Sequence, residues 1–191
     1  LPSPLILASA IAARTERIGI LLAALVLPFR HPVLLAEEMC VLDIISNGRV
    51  GYVMGIGHRA EEYDHMGADL RQRGKVADER LALLFRLLKG EPVVHEGRTI
   101  HVTPSPLTPG GPRVLIAGGS VAAAKRAGRF GLGLIAQANA PGMTDAYRGE
   151  CLANGHEPGI VKLPDPAEPT AIFVAKDVDA AWDEIGPYLL H

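Results

Sequence analysis

The sequence predicts an α/β fold built on a parallel sheet. Its apolar runs are continuous rather than alternating, as in RIGILLAALVL (residues 17–27) and RVLIA (residues 113–117). Strands covered on both faces read this way. Between these runs lie stretches with helical spacing, such as Leu35, Met39, Leu42 and Ile45, one face of a helix. Together they give about five strands, each followed by a helix, with one hairpin after the second unit. An open five-stranded sheet would be complete in 191 residues, whereas a (β/α)8 barrel needs about 250. The chain starts on Leu1, inside a helical stretch, and its hairpin and long loops follow strand ends. These features favour an incomplete (β/α)8 TIM barrel, a single partial domain over residues 1–191.

The elements follow in order. Residues 5–13 are alanine-rich and read as the end of a helix. The strand at 17–27 leads into the loop PFRHP, where Pro32 suits the first turn of the next helix. Asn47-Gly48 stops that helix, since both residues tolerate a left-handed C-cap. Residues 49–57 form the second strand, and 72–89 a long helix with Leu81, Leu84, Phe85 and Leu88 inward. PVVH and RTIHV flank the turn Glu96-Gly97 as a hairpin. Residues 103–112 are loop by composition. A strand at 113–117, a helix at 121–129, a strand at 132–137 and a helix at 142–154 follow. Residues 156–169 read as a proline-rich connection and 170–176 (TAIFVAK) as the last strand. Asp177 caps a final helix that Gly186-Pro187 disturbs.

Charge and cysteine usage exclude several classes. Nineteen basic against 21 acidic residues give a net charge of -2, without the basic excess of a nucleic-acid-binding face. The longest uninterrupted apolar run, residues 18–27, is ten residues, about half of the roughly 20 that span a bilayer. Cys40 and Cys151 have neither metal nor redox spacing. They read as small buried hydrophobes in a reducing compartment, hence a cytoplasmic chain.

Three places can carry chemistry. Gly118-Gly119-Ser120, between a strand and a helix, exposes backbone N–H groups at a helix N-terminus, a geometry that favours phosphate. The same glycines also suit a plain tight turn. Gly55 and Gly57 end the second strand and let a ligand approach the backbone, with His58 beside them. His58 and His65, seven residues apart, lack the helical carboxylate–histidine spacing of a metal site; Glu61, Glu62 and Asp64 read as helix-start charges. Ala23-Ala24 ends the first strand, where small residues make room for something flat or simply pack tightly. His31, in a strand-end loop, is placed to face a pocket. No catalytic constellation is recognisable, so the catalytic residues stay unassigned.

Taken in order, TERI, LPFRHPVLLAEE, LD-IS-NGRV, GIG with EEY and Gly67, GEPVVHEGRTIHV and RVLIAGGSVAAAKRAGRFG resemble the luciferase-like monooxygenases, the flavin- and deazaflavin-dependent oxidoreductases related to bacterial luciferase. The resemblance covers nearly the whole chain. It implies a (β/α)8 barrel with insertions whose third and fourth strands match residues 17–27 and 49–57, so that the N-terminal strands and the closing end are missing. It implies FMN or coenzyme F420 (the deazaflavin) as cofactor, with the LPFRHP and AGGS segments closer to the deazaflavin branch. A non-proline cis peptide bulging against the ring maps to Ala23-Ala24; Gly57 and His58 flank the ring; Gly118, Gly119, Ser120 and Val121 match the phosphate loop. The family's acid/base histidine or aspartate often lies in the missing part. The expected partners are a small-molecule substrate and, in the full-length parent, a second copy in a homodimer; a nucleic acid and a membrane are not expected. One departure stands out: where many members have GDGW, this chain has Gly131-Leu132-Gly133-Leu134. An inactive fragment or non-catalytic cofactor-binding relic, and an open-sheet phosphate-binding enzyme, are the alternative readings.

Overall fold

The computed structural model describes residues 3–165, 167 and 173–189. Five strands form one parallel sheet: β1 (Ile20–Val26), β2 (Val50–Gly55), β5 (Val114–Ala117), β6 (Gly133–Ile135) and β7 (Val161–Lys162). The short strands β3 (Val93–His95) and β4 (Arg98–Ile100) pair antiparallel on their own. The helices are α1 (Pro4–Arg14), α2 (Pro32–Ser46), α3 (Ala60–His65), α4 (Arg73–Leu87), α5 (Val121–Arg129), α6 (Met143–Ala153) and α7 (Val178–Leu189).

Strand order decides between the two architectures. The sheet runs β1-β2-β5-β6-β7, in chain order without a reversal. A doubly wound open sheet reverses its order at a switch point. Right-handed crossovers that always step the same way put every helix on one face of the sheet and wind a barrel. The core lies between that face and the helices: Leu22, Tyr52, Met54, Ile116 and Leu134 pack with Leu35 and Met39 of α2 and Leu81 and Leu84 of α4. The strands are not covered on both sides as their apolar runs suggest. Leu21 is 52% exposed, and Leu115 and Ile135 are only half-buried. Continuous apolar sequence reports a face suited to burial, and the barrel interior is such a face.

Local chemistry explains the element ends. Pro32 opens α2, and Asn47, at φ 54° and ψ 50°, closes it in the left-handed conformation. Glu96 and Gly97 both have positive φ, as a two-residue primed hairpin turn requires. At the N-terminal end of the sheet, Arg49 knits four segments together. Its guanidinium donates to the carbonyls of Ala12, Thr15, Ile18 and Ser46 and to Thr15 Oγ1. Beside it the buried Asp43 carboxylate accepts from Thr108 N (2.6 Å) and Thr108 Oγ1 (2.9 Å), fastening the 103–112 loop to α2.

Two expectations change. The fifth strand is Val161–Lys162, inside the stretch that composition marks as connection. Of the strand expected at 170–176, residues 170–172 lie outside the described residues, and Phe173 to Lys176 are not strand. β7 takes the edge of β6 in place of that segment, so strand propensity alone does not make a strand. The last helix is not interrupted at Gly186-Pro187: α7 runs through Pro187 to Leu189. Proline so near a helix end removes only one late hydrogen bond.

Candidate functional site

The candidate residues gather at the C-terminal end of the sheet, where barrels carry their sites. Three neighbouring strands carry small residues there: β2 and β5 end in Gly55 and Ala117, and β1 has Ala24 two residues before its end. A Cβ built on Gly55 would lie 3.7 Å from the Cβ atoms of both Ala24 and Ala117, so β1, β2 and β5 contribute one small residue each to a common floor. The peptide joining Ala23 to Ala24 is cis, as the resemblance implies. Pairing slips at this point: Ala23 faces Val53 and Leu25 faces Met54, leaving Ala24 unpaired and bulged. Ala23 and Ala24 are both exposed. A planar ring system can lie on this floor and meet only methyl groups and backbone.

The second wall is the chain after β2. Gly57 has φ +69°, and a Cβ there would stand 2.9 Å from Val26 Cγ1 and 3.4 Å from the Tyr63 ring. Only glycine permits that backbone course. His58 follows, exposed. Tyr63 is buried, its hydroxyl donates to Ile56 O, and its ring meets Phe29 edge-on at 4.6 Å. Burial pushes the Tyr63 hydroxyl pKa up, against the opposing pull of Arg73 and Arg80. Tyr63 therefore serves as a neutral hydrogen-bonding prop behind Gly57. His65 ends α3, away from His58, and no group of three or more metal-ligating side chains occurs among the described residues.

The third wall is the turn between β5 and α5. Ser120 caps the helix, its Oγ accepting from Ala123 N at 3.3 Å. Gly118 N donates to Ile135 O, whereas the N–H groups of Gly119, Ser120, Val121 and Ala122 meet no acceptor among the described residues. Four free N–H groups at a helix N-terminus are suited to an anion. The glycines have a packing cause as well. A Cβ on Gly118 would lie 2.6 Å from Ala123 Cβ, and one on Gly119 2.6 Å from Ala138 Cβ. The following Gly131-Leu132-Gly133 stretch, where the family pattern differs, is held without an acidic residue: Tyr147 donates its hydroxyl to Leu132 O at 2.9 Å and accepts from Gly159 N at 2.9 Å.

The structure thus brings Ala23, Ala24, Gly57, His58 and the Gly118–Val121 turn to the same end of one sheet. The sequence marks Gly55 as a strand end open to a ligand, whereas Ala117 of the floor is not singled out by it. A signal for Ala117 is present: it is a small residue ending a strand, like Gly55.

The sequence model of the luciferase-like monooxygenase family matches residues 1–191. Limonene 1,2-monooxygenase of Rhodococcus erythropolis is 30% identical over 152 residues, covering 71% of this chain and 36% of that protein. The oxygenase component of flavin-dependent trigonelline monooxygenase from Acinetobacter baylyi is 33% identical over 92 residues, 47% of this chain and 26% of that protein. The crystal structure of the monooxygenase RslO1 from Streptomyces bottropensis superposes with a TM-score of 0.79 at 26% identity, covering 97% of this chain and 59% of that one. The chain spans about a third of the length of these curated relatives.

Proposed function

The chain belongs to the luciferase-like monooxygenase family, and from that premise we propose that it is an oxidoreductase that holds the ring of FMN or coenzyme F420 on the Ala24–Gly55–Ala117 floor. The cofactor supplies the redox chemistry: with FMN, oxygenation of a small organic substrate by O2; with coenzyme F420, hydride transfer. The observation that carries the reading is the floor itself, where the bulged Ala24 of β1 meets Gly55 and Ala117 at the ends of β2 and β5. The chain's own residues bind and orient. Gly57 and His58 flank the ring, and Tyr63 props the backbone that does so. The free N–H groups from Gly119 to Ala122 hold the phosphate, with Ser120 fixing the helix end that presents them. The flavin dependence of the trigonelline relative supports the FMN form.

Fluorescence titration of FMN and coenzyme F420 tests this reading. Ser120→Asp keeps an N-cap acceptor but sets a carboxylate against the phosphate, and it weakens the bound cofactor about tenfold or more. Equal affinity in the two proteins defeats the phosphate assignment.

The chain is one partial barrel domain of a longer protein, and its two buried free cysteines suit a cytoplasmic location. A homodimer of that longer protein is supported by Ile6 and Leu7 on α1 and Val41 and Ile45 on α2, exposed on two helices that pack together. Val41→Glu is expected to shift its sedimentation from dimer to monomer; an unchanged dimer removes α2 from the interface. A second reading, cofactor binding without turnover, is favoured by the exposure of Leu21 on the interior face of the sheet. Substrate turnover by the 191-residue chain would eliminate it.

A further inference from the structure

Beside Tyr63, a cleft of about 490 Å³ opens between the turn after β1 and the α3–α4 segment. Its lining divides by chemistry. Phe29, Tyr63 and Met66 give it an apolar wall, and His31, Arg73 and Arg80 bring three nitrogenous side chains to the other. Arg73 and Arg80 are seven residues apart on α4 and so project from one face of that helix.

The charge of this cleft is unbalanced. Arg80 Nη1 donates to the carbonyls of Leu27, Pro28 and Arg30, and Arg73 Nη1 donates to Leu70 O. These carbonyls position the guanidiniums without neutralising them. No carboxylate pairs with either arginine among the described residues. The one carboxylate in the lining, Asp69, is turned to Arg71, accepting from its backbone N (2.8 Å) and its Nε (3.4 Å). Two cations held at fixed positions beside an aromatic wall recognise an anion attached to an apolar body.

We propose that this cleft binds the anionic end, a carboxylate or sulfonate, of a small organic molecule. Tyr63 ties the cleft to the neighbouring site: its ring lines the cleft, and the same ring stands 3.4 Å from where a Cβ on Gly57 would be. A molecule anchored here lies one aromatic ring away from the backbone that flanks the floor. As a substrate subsite the cleft rests on the cofactor reading above; as an anion site it does not.

The test is calorimetric titration of the 191-residue chain with benzoate, benzenesulfonate, the neutral benzamide and inorganic phosphate. Benzoate and benzenesulfonate bind about tenfold or more tightly than benzamide and phosphate, because the cleft offers both charge and an apolar wall. Arg73→Gln weakens the two anions about tenfold and leaves benzamide unchanged. Met66→Glu adds a carboxylate at a side chain that is 56% exposed, so it preserves the fold while weakening the same two ligands. FMN affinity stays unchanged in both variants, and Ser120→Asp weakens FMN but not benzoate; each reading can therefore fail alone. Benzoate affinity that survives both Arg73→Gln and Met66→Glu overturns the proposal. So does phosphate binding as tight as benzenesulfonate, or an FMN affinity that falls with benzoate in Arg73→Gln.

Discussion

At the N-terminal end of the sheet, Arg49 spends its donors on five acceptors from α1, α2 and the approach to β1, and Asp43 on α2 accepts both donors of Thr108. At the C-terminal end, Ala24, Gly55 and Ala117 present methyl groups or nothing, and four N–H groups around Ser120 meet no acceptor. The first end satisfies its polar groups internally and so holds the chain together. The second leaves polar groups and flat surface open, which stabilises nothing in the free protein and is useful only to a ligand. This division, stability at one end and chemistry at the other, lets barrel proteins alter one without the other.

The comparison breaks if variants at the two ends behave alike. The largest effect is expected from Arg49→Ala, which strands four carbonyls at once and costs about 3 kcal/mol in urea unfolding. FMN affinity of the folded protein stays the same; a loss below about 1 kcal/mol would remove Arg49 as the organiser of that end. Asp43→Asn comes next, at about 2 kcal/mol, because the amide turns a donor toward one of Thr108's two donors. Its coupling should appear as non-additivity with Thr108→Ala, and strictly additive losses would dissociate the pair. Gly119→Ala reverses the pattern: the new methyl displaces Ala138 and the loop around it, and FMN binding falls about tenfold while stability changes by about 1 kcal/mol. Retained affinity in that variant would place the phosphate elsewhere. The smallest effect concerns Cys40, at the clamped end. Burial, aided by the nearby Asp43 carboxylate, pushes its thiol from 9.0 up to about 11. The unfolded chain loses this proton first, so the stabilisation is full below pH 9 and is lost as pH rises toward 11. Cys40→Ala should flatten that part of the stability–pH curve, and an unchanged slope would assign it to another group.

The same division governs what could be read from sequence. Helix termini are local signals at both ends of the sheet, Pro32 at the open end and Asn47-Gly48 at the clamped one, and they fall where expected. Arg49 and Asp43 carry no local signal, because all of Arg49's partners but Ser46 lie 31–37 residues away and Asp43's partner Thr108 lies 65 away. At the open end, the glycine–serine turn and the alanine pair were legible because absence of side chain is itself a local property. The fifth strand was not: two residues, Val161–Lys162, are too few to show a period. The cleft was half legible. The strand-end loop places His31 to face a pocket, and it lines the cleft, but the arginines beside it come from another element.

By itself the sequence determined the alternation of strand and helix, the positions of most caps and turns, and the small residues that end the strands. These follow from spacing, propensity and conformational freedom over a few neighbouring residues. Tertiary structure alone decided that the strands wind in chain order, that Ala24, Gly55 and Ala117 meet on one floor, and that Arg73 and Arg80 join His31 in lining one cleft. Each of these depends on which distant segments are brought side by side, and the energy that selects the arrangement comes from burying the helix-facing side of the sheet as a whole.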